Sequence, residues 1–174
     1  MATQLKKNRS VIIQLICFGI LTLPACRTEN PSSQTGGADM RFDIKLGRKT
    51  IHVRLACAEK ERQQGLMNVK SMPENEGMIF LGRKAEQQGF WMKNTLIPLD
   101  IGYFTGDGIL REIHPMYPRN TDPVRSRRND IRYALEMNQG WFRKNGLVPG
   151  MKLDLEDLEA ALKTRGKNPR QWMQ

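Results

Sequence analysis

Phe90-Trp91-Met92-Lys93-Asn94-Thr95-Leu96-Ile97-Pro98-Leu99-Asp100 is the stretch on which the fold of this chain turns. Phe90 to Met92 reads as a strand that runs out near Asn94, and Pro98 interrupts it. Leu99 to Phe104 then alternates with the period of a half-buried strand. Thr105-Gly106-Asp107-Gly108 has hairpin-turn chemistry, and Ile109 to His114 is the return strand. Period-two alternation sends Trp91, Lys93 and Thr95 one way and Met92 and Asn94 the other.

Upstream, Phe42 to Leu46 alternates as a strand, Gly47-Arg48-Lys49 is a turn, and Ile51, Val53, Leu55 and Cys57 share the apolar parity of a second strand. His52 then points outward. Ala58 to Leu66 reads as a short helix with Glu59 and Glu61 near its start and Gly65 near its end. Pro73 to Gly77 is a turn and Met78 to Leu81 a strand. Downstream, Pro115 to Asn129 carries Pro115, Pro118 and Pro123 among charged residues, a long loop of the kind that often holds function. Ile131 to Met137 is a strand and Gly140 to Asn145 a turn or short helix. Met151 to Leu155 is expected to close the sheet. Asp154 and Asp157 open a helix with Leu155, Leu158 and Leu162 on one face and Gly166 as its stop. Pro169 and Trp172 fall in a short basic tail expected to be poorly ordered. About eight short strands, one or two helices and no alternating βαβ pattern predict a mainly β (α+β) domain. Its expected form is a compact antiparallel sandwich or partly open barrel.

The first residues read as an address. Lys6, Lys7 and Arg9 precede an apolar run from Val11 to Leu23. The run is shorter than the ~20 residues a transmembrane helix needs and has the flanks of a secretory signal. Leu23-Pro24-Ala25-Cys26 resembles a bacterial lipobox, with Pro24 a less usual member, and makes Cys26 the expected lipidation site, carrying an acyl chain such as palmitate. The expected organisation is a lipoprotein signal peptide at 1–25, a flexible tether at 26–40, a β domain at 41–155 and a C-terminal helix with basic tail at 156–174. The chain would then be a membrane-anchored lipoprotein of the bacterial cell envelope, facing the periplasm or exterior.

Charge and cysteine usage fit that address. Loss of Lys6, Lys7 and Arg9 with the signal lowers the formal charge from +10 to +7. In an envelope protein such an excess suits anionic headgroups or acidic glycans, and we expect no nucleic-acid partner. Arg119, Arg125, Arg127 and Arg128 cluster around the long loop. Cys57 alone remains after processing, so no intramolecular disulfide forms; it reads as a buried small hydrophobe. Two histidines, His52 and His114, exclude a three-His zinc site, and the scattered methionines form no compact Cu(I) array. No metal and no cofactor are expected.

Several short signatures in order resemble the domain-of-unknown-function 192 family of bacteria and archaea. They are Arg62 ahead of Gly65-Leu66-Met67, Glu76-Gly77-Met78-Ile79-Phe80, the Phe90–Asp100 run, Asp107-Gly108, Arg132-Tyr133-Ala134-Leu135-Glu136 with Gly140, and Gly150. The similarity runs from about residue 42 to residue 154 and implies a small, mostly β domain with no established biochemical role. Two positions depart from the family pattern. Cys57 stands where an acidic residue is usual, which removes a good helix cap, and Gly150-Met151 stands where Gly-Asp is usual.

Lys93 and Asn94 are hard to explain by packing in a segment so rich in Trp, Met, Leu and Ile. Buried, each needs partners, and Asp100, Glu136 and Arg62 are the candidates. Two readings stand: a polar network that pins loops together, or a polar pocket beside an aromatic platform. The expected ligand site is Trp91, Lys93, Asn94, Asp100, Arg62 and Glu136, holding a small polar ligand or an acidic glycan. Trp91 would stack on a ring, Lys93 and Arg62 would neutralise acidic groups, and Asn94 and Asp100 would hydrogen-bond. Binding is favoured over catalysis. The alternatives are a hydrolase of cell-wall saccharide or ester with Asp100 and Glu136 as paired carboxylates, and a purely structural domain.

Overall fold

A computed structural model describes residue 37 and residues 39–173. The expected signal peptide, Cys26 and nearly all of the expected tether lie outside the described residues.

The chain forms β1 (Phe42–Leu46), β2 (Lys49–Ala56), α1 (Glu59–Gln64), β3 (Glu76–Glu86), β4 (Gly89–Phe90), β5 (Leu99–Thr105), β6 (Leu110–Met116), β7 (Val124–Arg125) and β8 (Ile131–Asn138). Three helices follow: α2 (Trp141–Lys144), α3 (Leu155–Thr164) and α4 (Arg170–Met173). Six strands make one sheet in the order β1-β2-β3-β8-β5-β6, and β4 pairs with β7 in a second, two-stranded sheet. The mainly β, α+β class is the observed one. The sheet is mixed: β2 and β3 run parallel and every other pairing is antiparallel. Parallel neighbours need a crossover, and residues 57–75 with α1 provide it. Lys152 bridges Ile109 beside β6 and Leu153 bridges Leu46 at the end of β1, so this segment ties the two ends of the sheet. No barrel closes among the described residues.

Side-chain parity divides the sheet into two faces. Ile51, Val53, Leu55, Ile79, Leu135 and Met137 face one core, which α2, α3 and α4 cover with Trp141, Phe142, Leu158, Leu162 and Trp172. Met78, Phe80, Ile101, Tyr103 and Ala134 face the other, which Leu66, Met92 and partly buried loop residues such as Phe90 and Val124 cover. Gly77 lies where β3 meets β8. A Cβ there would sit 2.3 Å from Met137 Sδ and 2.4 Å from the carbonyl oxygen of Glu136, so the close approach admits only glycine.

Three expectations are corrected locally. Trp172 is not in a loose tail: it is buried in the first core as part of α4, because its indole gains far more by burial than the flanking charges lose. The segment after Phe90 does not continue as a strand. Met92 to Thr95 closes a turn, with the Thr95 N–H donating to the Met92 carbonyl at 3.0 Å and Asn94 at φ +57°. The long loop carries a short strand, β7, which pairs with β4. The cap missing at Cys57 is supplied from within α1: Glu61 Oε2 accepts the N–H groups of Cys57 at 2.8 Å and Ala58 at 2.9 Å.

Candidate functional site

Glu136 sits in the middle of the most central strand. Strand register places Arg54, Met78, Glu136, Ile101 and His114 in one row across five strands. Its side chain therefore shares a face with Met78, Ile101, Phe80 and Tyr103, an apolar setting for a carboxyl group. Glu136 is 4% exposed. Burial pushes its pKa up to about 8, opposed only by the charge of Arg54. No hydrogen bond holds its carboxyl among the described residues. At neutral pH the group is therefore largely protonated: a neutral acid with one proton to donate and an oxygen to accept.

Above Glu136 lies a narrow pocket of about 20 Å³, walled by Leu66, Phe80, Phe90, Trp91 and Thr95, with Arg62 and Gly65 at its side. That is room for about one water molecule. Phe80 and Phe90 meet edge to face, with ring centroids 4.9 Å apart. Trp91 is 48% exposed and forms the rim. Lys93 Nζ stands 5.3 Å from the centre of the Trp91 ring, a cation–π contact.

Arg62 comes from α1, and burial holds its pKa below the usual guanidinium range. Its Nη1 donates to the Leu81 carbonyl at 2.7 Å and its Nη2 reaches Gln88 Oε1 at 3.4 Å. It borders both this pocket and a wider groove of about 420 Å³ beside Cys57, Arg83 and Trp172. Cys57 is buried, and burial raises its thiol to about 11, so it is a packed, protonated thiol.

The structure brings Glu136, Arg62 and Trp91 together. It places Lys93 and Asn94 outside the pocket lining, both exposed, in the turn after Trp91 and not on alternate sides of a strand. Asn94 contributes its carbonyl, which accepts the Asn68 N–H at 2.9 Å. Asp100 is elsewhere: its strand partner is Met137, so it points to the helix-covered face. There its Oδ2 accepts the Gly140 N–H at 2.7 Å ahead of α2. Burial raises its pKa, offset in part by that N–H and by Arg143. Asp100 and Glu136 thus do not form a carboxylate pair. Phe80, Phe90 and Thr95 were not singled out from the sequence, yet each lies within a signature quoted above.

Family comparison matches residues 42–155 to DUF192, described as Uncharacterized ACR. No curated protein matches the chain. Among solved structures, a candidate transcription regulator from Sinorhizobium meliloti 1021 is similar at 33% identity and a TM-score of 0.63. The match covers 66% of this chain and 92% of that one. A protein of unknown function from Novosphingobium aromaticivorans DSM 12444 is similar at 26% identity with a TM-score of 0.63, covering 71% of this chain and 99% of that one.

Proposed function

The chain belongs to the DUF192 family, and from that premise we propose that it is a lipid-anchored cell-envelope protein whose domain binds a small polar ligand over Glu136. The carrying observation is convergence. Gly65-Leu66-Met67, Phe80, Phe90-Trp91, Thr95 and Glu136 come from four separate signatures, and all of them wall one pocket. The Glu136 carboxyl makes no hydrogen bond among the described residues and lines that pocket, so a polar group of a ligand there would supply its partner. The neutral acid suits an uncharged hydroxyl or amide that both accepts and donates. The half-exposed indole of Trp91 at the pocket rim suits a ring. A hydroxyl-bearing sugar ring has both parts. The anchor rests on the basic start, the apolar run and Leu23-Pro24-Ala25-Cys26.

The test is titration of the chain with N-acetylglucosamine and its short oligomers, followed by tryptophan emission. Saturable change in the wild type, lost in Trp91→Ala and Glu136→Leu and kept in Glu136→Gln, is the expected result. Equal responses in the wild type and Glu136→Leu would remove Glu136 from the site. The hydrolase reading lacks its second carboxylate, because Asp100 faces the other way.

A further inference from the structure

Trp91 and Tyr117 are the only exposed aromatic side chains of note among the described residues, at 48% and 60% exposure. Both lie on one pair of loops, 89–98 and 117–126. The Met92 N–H donates to the Asn120 carbonyl at 2.7 Å, and the Arg119 N–H to the Thr95 carbonyl at 3.1 Å. The β4–β7 ladder joins the same loops. From the sheet below, Tyr103 Oη donates to the Val124 carbonyl at 2.6 Å. The platform is therefore formed in advance and has little conformational freedom left to lose on binding.

Its charge is one-sided. Lys93, Arg119 and Arg125 are exposed on these loops, and Asp122 is the one carboxylate in them. None of the three cations has an ion-pair partner among the described residues. Amphipathic rings interleaved with unpaired cations fit the boundary between water and an anionic bilayer. There indole and phenol sit at headgroup depth and each basic side chain gains from the surface potential.

We propose that the loop face carrying Trp91, Lys93, Tyr117, Arg119 and Arg125 docks on an anionic phospholipid surface. The surface is at hand only if the proposed anchor is real, so to that extent the inference rests on it. Residues 26–40 could span at most about 50 Å when extended, which keeps the domain at high effective concentration over its own membrane. Docking by this face turns the rim of the Glu136 pocket toward the headgroups.

The experiment uses the full chain with Cys26→Ser, which removes any acyl group, and vesicles of phosphatidylcholine with or without one-quarter phosphatidylglycerol. Partitioning to the anionic vesicles is expected to exceed that to neutral ones about tenfold in low salt and to fall away near 0.5 M salt. Trp91 emission should be quenched by lipids brominated near the headgroup, while buried Trp141 and Trp172 are spared. The triple variant Lys93→Glu, Arg119→Glu, Arg125→Glu should lose both effects. Equal partitioning to the two vesicle types, or an unchanged triple variant, overturns the docking face. Preference for duplex DNA over vesicles does so as well. A wild-type chain without acyl mass defeats the anchor and leaves these outcomes readable.

Discussion

Asp100 and Glu136 stand on adjacent strands and point to opposite faces of the sheet: Asp100 lies across from Met137, and Ile101 lies across from Glu136. One carboxyl caps a backbone turn among helices, and the other closes the floor of a pocket. Their contributions separate cleanly in experiment.

Asp100→Ala leaves the Gly140 N–H without its acceptor in a partly buried setting. A loss of about 1–3 kcal/mol is expected in urea unfolding. Asp100→Asn keeps an oxygen there and should lose less. Neither should alter ligand response at Trp91.

Glu136 makes stability depend on pH with a definite sign. Its folded pKa of about 8 exceeds the unfolded value of 4.5, so between these values the folded chain binds the proton more tightly. The stabilisation is fully present below about pH 4.5, declines as pH rises toward about 8, and is lost above it. The slope cannot exceed about 1.4 kcal/mol per pH unit for one proton. Urea midpoints at pH 5, 7 and 9 should fall in that order beyond the background set by Glu136→Gln. A variant curve parallel to the wild type would show that Glu136 titrates normally.

Glu61 and Arg165 fasten α1 to the end of α3. Arg165 Nη2 meets Glu61 Oε1 at 2.6 Å, with the Arg165 side chain only 4% exposed, and Arg165 Nη1 donates to the Leu55 carbonyl. Burial opposes the Glu61 carboxylate, but the hydrogen bonds from Arg165, Ala58 and Cys57 outweigh it and hold its pKa below the usual range. Glu61→Ala removes the α1 cap and leaves a buried guanidinium without its anion. A loss of about 3–5 kcal/mol is expected. Adding Arg165→Met should restore part of it, and no recovery would mean that the capping bonds dominate.

Asn94 occupies the left-handed region at φ +57°. Asn94→Gly should leave the unfolding midpoint nearly unchanged, whereas Asn94→Val should cost about 1–2 kcal/mol. Equal midpoints for the two variants would show that the turn relaxes.

Much of this was legible in local pattern. Alternation at Ile51, Val53 and Leu55, the turn at Asp107-Gly108 and the cap at Asp154 all depend on neighbours in sequence, and the structure has them. Asp154 Oδ1 accepts the N–H groups of Glu156 and Asp157 at 2.9 and 3.1 Å. The opposite facing of Asp100 and Glu136 was not legible, because it depends on the β5–β8 register, set by residue pairs from Thr105–Ile131 to Leu99–Asn138 that lie far apart in sequence. The parallel β2–β3 pairing was hidden because a helix as short as α1 does not announce a crossover. Trp172 was missed because a four-residue helix shows no period. Of the six candidate ligand residues, Glu136, Arg62 and Trp91 share a pocket and Asp100 does not. Signatures name residues that matter without saying which face they serve.

The strand order also carries a timetable. β8 lies between β3 and β5, yet it is the last of the eight strands along the chain. Until residues 131–138 leave the ribosome, the six-stranded sheet can exist only as a β1-β2-β3 patch and a β5-β6 hairpin, with no ladder between them. Ladder formation across such sequence separations is slow in any case. A polypeptide whose keystone strand is synthesised near the end keeps its main sheet unlocked through most of its synthesis.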